Sequence, residues 1–350
     1  MTFIYIFSKR YIFIIFLIFI FFHIILTKGF KKKDKFLQKK NFYFSNETDR
    51  VHNEVVNIMK KKVRIFCVIL AGYKHKKSRI IPQLKTWVKR CDGYIYATGV
   101  ADKTINSIRA FSKDSYEYSY AKVRNGLKYV YKKYKDQYDF ILKSDSDAYI
   151  IMENLRMYLH NRDPNEHLYA GYQMYTHTSK INPKFPLNQG GVGYVLSRRT
   201  VKELVEKGFK NGKICLKRND GFEDVEIARC LKNMKIFPND ARDYKNRELF
   251  FPTDPIYAVN VRKNKPTHPY YRSWSVHMYE SKIPMSDFPI GFHWVSNGMM
   301  EALEYLLYDV NIAGLQNKFF SLNDDDEDIY NDKIKYSSEI LSIFSENYFK

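Results

Sequence analysis

The spacing of apolar and polar positions changes several times along the chain, and each change marks an element. Tyr11 to Thr27, YIFIIFLIFIFFHIILT, is an apolar run of 17 residues broken only by His23, near the lower limit for a membrane span. A cleavable signal peptide is the competing reading. No small-x-small site follows, however, and the apolar part is long for such a peptide, which favours an uncleaved anchor over 11–27 behind a short tail, 1–10. From 28 to 62 regular apolar spacing disappears, which predicts a solvated stem. Val63 to Ala71, VRIFCVILA, then runs almost continuously apolar into Gly72, the pattern of a strand buried on both faces. Lys85 to Arg90 reads as the end of a helix and Gly93 to Ala97 as a second strand. Tyr120, Val123, Leu127, Val130 or Tyr131, and Tyr134 recur at steps of three and four and predict an amphipathic helix. It leads into the apolar Phe140 to Leu142, a strand broken by Asp145 and Asp147.

Further on, Met152 to Leu159 predicts a short helix and His167 to Met174 a strand. Gly190 to Ser197, GGVGYVLS, is a glycine-lined turn running into a strand. Ser197 is placed to cap a helix over Thr200 to Lys207 that Gly208 ends. Strands alternating with helices predict an α/β domain, a mostly parallel sheet covered on both faces, set here at 63–316. The polar stretch 317–350, with its acidic run Asn323 to Asp328, reads as a solvated tail rather than a second metal site.

Charge adds a constraint. The 350 residues carry a formal net charge of +20, yet 28–62 alone hold 11 Lys and Arg against 4 Asp and Glu, and this basic stem also contains the sequon Asn46-Glu47-Thr48, which marks Asn46 for glycosylation. No zinc-finger or RNP-like motif accompanies the basic excess, so nucleic acid is not the expected partner; anionic sugar nucleotides or acidic glycoproteins suit a basic surface better. The flanks of the apolar run conflict with the rest. Lys9 and Arg10 precede it while five lysines between Lys28 and Lys35 follow, which by the positive-inside rule places the long carboxyl-terminal part in the cytoplasm. Four cysteines, Cys67, Cys91, Cys215 and Cys230, argue for an oxidising lumen and two disulfides. Of the three connectivities, Cys67–Cys91 with Cys215–Cys230 is the most local, and no CxxC spacing suggests zinc.

Three clusters carry candidate chemistry. Asp145 and Asp147 stand at a strand's carboxyl end, the edge where open α/β sheets bind ligands, and hard oxygen ligands suit Mn²⁺ or Mg²⁺ holding a nucleotide's phosphates. The same Asp-Ser-Asp is also an ordinary turn. Glu223 and Asp224 fall in the first turn of a helix that Asp220 or Asn219 is placed to cap; the helix dipole favours carboxylates there, and one of the two is a candidate general base. His293, within Gly291-Phe292-His293-Trp294-Val295, is either a packed core histidine or a ligand.

Taken in order, these segments resemble the core 1 β1,3-galactosyltransferases of glycosyltransferase family 31, over roughly Arg64 to Gly314. The matching residues are Arg64-Ile65-Phe66-Cys67, Thr86-Trp87 before Arg90-Cys91, Phe140-Ile141-Leu142-Lys143, Glu153-Asn154-Leu155-Arg156 and Gly190 to Ser197. Glu223-Asp224 with Arg229-Cys230, Phe292-His293-Trp294-Val295 and Met300 to Leu306 complete the series. The resemblance implies a GT-A fold in which Asp147 and His293 bind Mn²⁺, or Mg²⁺, on the diphosphate of UDP-galactose. Asp145 lies beside the ribose or the metal's waters, and Gly190 and Gly191 line the donor site. Asp224 is the base with Glu223 beside it, and Trp274 and Tyr194 face the acceptor sugar. It also implies both local disulfides, type II topology with a luminal catalytic domain in the Golgi membrane, glycoprotein acceptors carrying GalNAc on Ser or Thr, and room for a homodimer. The implied reaction is inverting transfer of galactose to the 3-hydroxyl of that GalNAc. Another family 31 β1,3-transferase, fringe-like or specific for GlcNAc or Gal, is the alternative, and a non-catalytic chaperone-like homologue a further one. The chain departs from the family at Ser146, the middle of an otherwise Asp-Asp-Asp motif, and at Ala71 and Tyr73, which replace the Thr and Pro of Thr-Gly-Pro. Phe251 stands where a histidine is common, and a third cysteine pair is missing.

Overall fold

The structure, a computed structural model, describes residues 56–176, 184–261, 269–277, 285–310, 342 and 345–349. The tail 1–10, the apolar run 11–27, most of the stem with Asn46, and most of 317–350 lie outside the described residues. Among the described residues no helix is long and apolar enough to cross a membrane.

The first strands are β1 (Ile65–Leu70), β2 (Gly93–Thr98), β3 (Ser107–Arg109) and β4 (Phe140–Asp145). They are followed by β5 (Tyr149–Ile150), β6 (Tyr169–Gly171), β7 (Gln173–Tyr175), β8 (Pro186–Asn188), β9 (Tyr194–Ser197), β10 (Phe250–Phe251) and β11 (Gly291–Phe292). The longer helices are α1 (Ser119–Tyr134), α2 (Met152–Leu159), α3 (Glu223–Asn233) and α4 (Asn297–Glu304). Six strands make the central sheet in the order β3-β2-β1-β4-β9-β6. The first four are parallel, and β9 runs antiparallel to both β4 and β6.

All six residues of β1 are buried, as its unbroken apolar sequence requires of a strand flanked on both sides. Helix α1 buries Tyr120, Val123, Leu127 and Val130, the expected stripe. It lies so close to the sheet that a Cβ on Gly126 would come within 3.1 Å of Val68. With its helices flanking a mostly parallel sheet, the α/β domain fits a GT-A-like fold.

Several local expectations change. The predicted strand His167 to Met174 is two short strands, β6 and β7, each paired in a different sheet. Ser197 caps its helix, accepting from the Thr200 N–H. Helix α3 instead has Phe222 in the cap position and no side-chain cap; Asn219 and Asp220 lie too early in the chain to serve, and Asn219 is bonded to Arg124 at 2.6 Å. Residues 56–62 are helical and bury Met59, so the last residues of the expected stem are folded rather than solvated. At the other end the tail is not solvated throughout. Tyr348 and Phe349 are buried, with the Tyr348 hydroxyl 2.6 Å from Arg247 and Phe349 edge-on to Tyr158; two aromatic rings outweigh the polar composition around them. The cysteines are joined as Cys67–Cys91 and Cys215–Cys230.

Candidate active site

Antiparallel pairing of β9 with β4 places the glycine turn that opens β9 beside the carboxyl end of β4. Lys143 faces Tyr194 across this pair, and the Asp145 N–H donates to Gly191 O at 3.0 Å. Gly193 has φ of +110° and lies against Lys143 O, where a Cβ would sit 2.2 Å away; only glycine tolerates that combination. Beyond Asp145 the chain turns. Ser146 N–H donates to Leu70 O and Ala148 N–H to Asp145 O, and the buried Gln83 and Trp87 brace the Ala148 carbonyl at 2.8 and 2.9 Å. Two short strands then complete the site: β5 pairs with β11, which carries the chain back so that His293 emerges opposite the turn. His293 N–H donates to the carbonyls of Phe251 and Thr253, and Val295 N–H to that of Asp147.

The result brings together three side chains from separated parts of the sequence. One ligand atom each from Asp145, Asp147 and His293 lie within 4.8 Å of one another. His293 Nε2 is 3.3 Å from Asp147 Oδ1, while Arg79 donates to Asp147 Oδ2 at 2.8 Å. Two carboxylates and one imidazole suit Mn²⁺, or Mg²⁺ with less nitrogen character. Burial pushes the Asp147 carboxyl up, but its bond to His293 and the charges of His293 and Arg79 outweigh that and hold it below the usual range. Asp147 is therefore ionised and ready to bind a cation. Asp145 is raised, chiefly by burial, against the pull of Lys143 and His293. Gly191 presses on the imidazole: a Cβ there would be 2.0 Å from His293 Cε1.

On the other side of the glycine turn, Lys143 is fully buried and saturated. Its ammonium donates to Asp145 Oδ1 and to Gly190 O, each at 2.8 Å, and to Glu223 Oε1. Burial would lower its pKa, but Asp145 and Glu223 raise it and keep the lysine charged. Tyr194 donates to the other Glu223 oxygen at 2.8 Å. A Cβ on Gly190 would lie 1.9 Å from Glu223 Oε1, so the turn, the lysine and this glutamate are packed as one unit. Asp224 is placed differently. It is half-buried and accepts from the N–H of Gly190 at 3.2 Å and of Val225 at 2.8 Å. Of the two adjacent acids, Glu223 is locked by side-chain partners, whereas Asp224 is half-buried and accepts only from backbone N–H groups, with lone pairs to spare.

Aromatic rings border this centre. Tyr270 meets Trp274 edge-on at 5.1 Å and leans on Trp294 at 5.6 Å, and Trp294 lies beside His293 at 5.5 Å. Near Asp224, the exposed Tyr116 leans on Phe222 at 5.7 Å. Trp274 thus joins the margin. Tyr194 does not: it is fully buried beneath the site, edge-on to Tyr169, because its hydroxyl is spent on Glu223. Its expected contact with an acceptor is replaced by a bracing role. Phe251, at the position where a histidine is common, stacks on Phe292 at 5.4 Å under His293.

Asp145, Asp147, His293, Gly190, Gly191, Glu223 and Asp224 are all assembled. Sequence reasoning gave no role to Lys143, Arg79 or Gln189, whose amide lies 3.4 Å from His293 Nδ1. For Lys143 the signal was present, as a lone cation inside an apolar strand. Arg79 and Gln189 gave none, being joined to the site only by the fold.

A Fringe-like family model matches residues 60–243. Glycoprotein-N-acetylgalactosamine 3-beta-galactosyltransferase 1 of Xenopus laevis is 30% identical over 268 residues, 76% of this chain and 72% of the relative. Chondroitin sulfate synthase 3 of Mus musculus is 26% identical over 111 residues, covering 30% of this chain and 12% of that protein. Its counterpart from Homo sapiens is 25% identical over the same length.

Proposed function

This chain belongs to the Fringe-like family, glycosyltransferase family 31, and from that membership we propose that it transfers galactose from UDP-galactose to the 3-hydroxyl of GalNAc on Ser or Thr, with inversion. The reading is carried by one arrangement: a cation-binding triad of Asp145, Asp147 and His293, separated by a two-glycine turn from an acid, Asp224, that remains available. The choice of sugar and linkage is supported by the likeness to the Xenopus laevis glycoprotein-N-acetylgalactosamine 3-beta-galactosyltransferase 1.

A divalent cation held by Asp147 and His293, with Asp145 beside it, would supply Lewis-acid stabilisation of the departing UDP. The chain's own groups do the rest. Asp224 accepts the proton of the attacking hydroxyl through an unshared lone pair. Attack from the face opposite UDP forms the new C1–O bond as the C1–O bond to phosphate breaks, so the α-linked donor gives a β-linked product. Glu223, held by Lys143 and Tyr194, positions the helix end that carries Asp224. Trp274, Tyr270 and Trp294 offer faces on which a sugar stacks. The stretch 11–27 serves in this reading as the anchor of a single-pass type II Golgi protein, with the catalytic domain luminal and glycoproteins as acceptors.

The direct test is transfer from labelled UDP-galactose to a GalNAc-Ser/Thr peptide in MnCl₂, with UDP-GlcNAc and unglycosylated peptide in parallel. A β1,3-linked disaccharide formed only from UDP-galactose is the expected product. Transfer from UDP-GlcNAc instead, or to a different acceptor sugar, would move the chain to another branch of the family.

A further inference from the structure

We infer that Tyr116 and Phe222 form a subsite for the peptide part of the acceptor, an apolar shelf that receives the side chains next to the sugar-bearing Ser or Thr. The inference rests on the acceptor reading above and extends it from the sugar to the residues around it.

Both rings stand outside the hydrophobic core. Phe222 is 44% exposed and Tyr116 66%, and they lean on each other at 5.7 Å. Backbone contacts fix the pair in place. Phe222 occupies the cap position of α3, just ahead of Glu223 and Asp224, and Tyr116 opens the short turn Tyr116–Tyr118 that leads into α1. Gly221 clasps the two segments together. Its N–H donates to Glu117 O at 2.8 Å, and its carbonyl accepts from the Tyr120 N–H at 3.2 Å and from the Ser119 hydroxyl at 3.0 Å. Its φ of +115° is one that glycine adopts without strain.

Exposure rises outward from the proposed base: Asp224 is half-buried, Phe222 more open and Tyr116 the most open. The tip of Tyr116 nevertheless turns inward, since burial at that end, followed by the charges of Asp224, Asp145 and Glu223 and the neighbouring Tyr270, pushes its phenol up. Tyr270 is raised by burial and by two of the same acids, Asp224 and Asp145. Aromatic side chains from two separate elements therefore reach Asp224. The rings around Tyr270 offer stacking faces to the sugar; the second pair begins at the base and leads to the surface, the course a peptide takes once its sugar is seated. Charge gives the shelf little selectivity. Lys113 is spent on the Tyr118 ring, 5.1 Å from its centroid, and Arg218 on Glu226 at 2.8 Å, so ring faces that favour apolar side chains remain.

The test compares two GalNAc-Thr peptides, one with Leu and one with Gly on both sides of the Thr, together with methyl α-GalNAc. Each is assayed with UDP-galactose and MnCl₂ on the full chain, as wild type, Tyr116→Ala, Tyr116→Phe and Phe222→Ala. The readout is the ratio of kcat/KM for the Leu peptide to that for the Gly peptide, which partial unfolding of a variant does not move. Wild type should favour the Leu peptide by roughly 3- to 10-fold, the worth of one aromatic contact, chiefly through KM. Both alanine variants should bring the ratio close to one, and Tyr116→Phe, which keeps the ring face, should retain it. A ratio near one in the wild type, or one that survives in either alanine variant, overturns the inference. If the wild type transfers galactose to neither peptide nor to methyl α-GalNAc, the proposed function falls and the subsite with it; if all three accept galactose without preference, only the subsite falls.

Discussion

Glu223 and Asp147 are both carboxylates next to a cation, but the two sides of the site they represent follow different plans. Beside the proposed base, Lys143 and Glu223 are buried and every charge is met by several fixed partners. At the proposed cation site, Asp147 shares its oxygens between a half-exposed arginine and a histidine. The contrast separates architecture from chemistry. Removing a partner from a saturated buried network leaves an uncompensated charge and costs stability, whereas an edge group can exchange partners during turnover at little cost. Asp224 stands at the boundary, next to the locked glutamate yet bonded only to backbone N–H groups.

The largest effect expected from this division is kinetic. Asp224→Asn keeps the acceptor oxygen for Gly190 but cannot take a proton, so transfer should fall by about 10²–10⁴, with the melting temperature and UDP–Mn²⁺ binding nearly unchanged. Glu223→Gln should show the reverse balance, a milder rate loss and a lower melting temperature; rate assays beside thermal unfolding would expose an exchange of these roles. Next comes Lys143→Met, which strands Asp145 and Glu223. It should cost about 3–5 kcal/mol, roughly 10 °C in melting temperature for a domain of this size, and Glu223→Gln in the same chain should recover part of the loss. Equal stability of wild type and Lys143→Met would erase the distinction between the two sides.

A buried acid with no ion pair among the described residues sharpens the comparison. Glu248 is 1% exposed, its Oε1 has no hydrogen-bond partner among the described residues, and burial pushes its carboxyl up to about 8 from an ordinary 4.5, against the pull of Arg242. Between those values the folded chain keeps a proton that the unfolded chain releases. Its stabilising contribution is therefore full below about pH 4.5 and is lost as pH rises through 8. Glu248→Gln should abolish that decline and exceed wild type at pH 8 by about 1–3 kcal/mol, as denaturant midpoints at pH 5 and pH 8 would reveal. Smallest of all, Tyr194→Phe removes one hydrogen bond to Glu223 and should cost about 1 kcal/mol in stability while transfer stays within a few-fold. A large rise in acceptor KM would return Tyr194 to the acceptor site.

What the sequence disclosed follows from the range of each signal. β1, α1 and the break at Asp145 were legible because apolar spacing reports burial directly, and Ser197 because a cap acts within three residues. β5 and β11, two residues each, are too short to carry a period; the placement of His293 against Asp147 depends on their pairing and became visible only through the family motif. The cap of α3 was misread because the helix begins at Glu223 behind Phe222, past both Asp220 and Asn219, the latter held by the distant Arg124. Tyr194 and Tyr348 failed for one reason: burial of a tyrosine is decided by the rest of the fold, and its hydroxyl then takes whatever partner lies at hand. Lys143 could have been found, since a lysine inside an apolar strand needs anionic partners.

The claim on which the account turns is that Asp147 and His293, brought together by β5 and β11, form the cation site of this enzyme. Calorimetric titration of MnCl₂ into the wild type, Asp147→Ala and His293→Ala, with unfolding curves of the same samples, tests it most directly. One Mn²⁺ site is expected in the wild type, and either substitution should remove it, with transfer abolished and unfolding shifted little. Retained Mn²⁺ binding and near-normal transfer in either variant would contradict it.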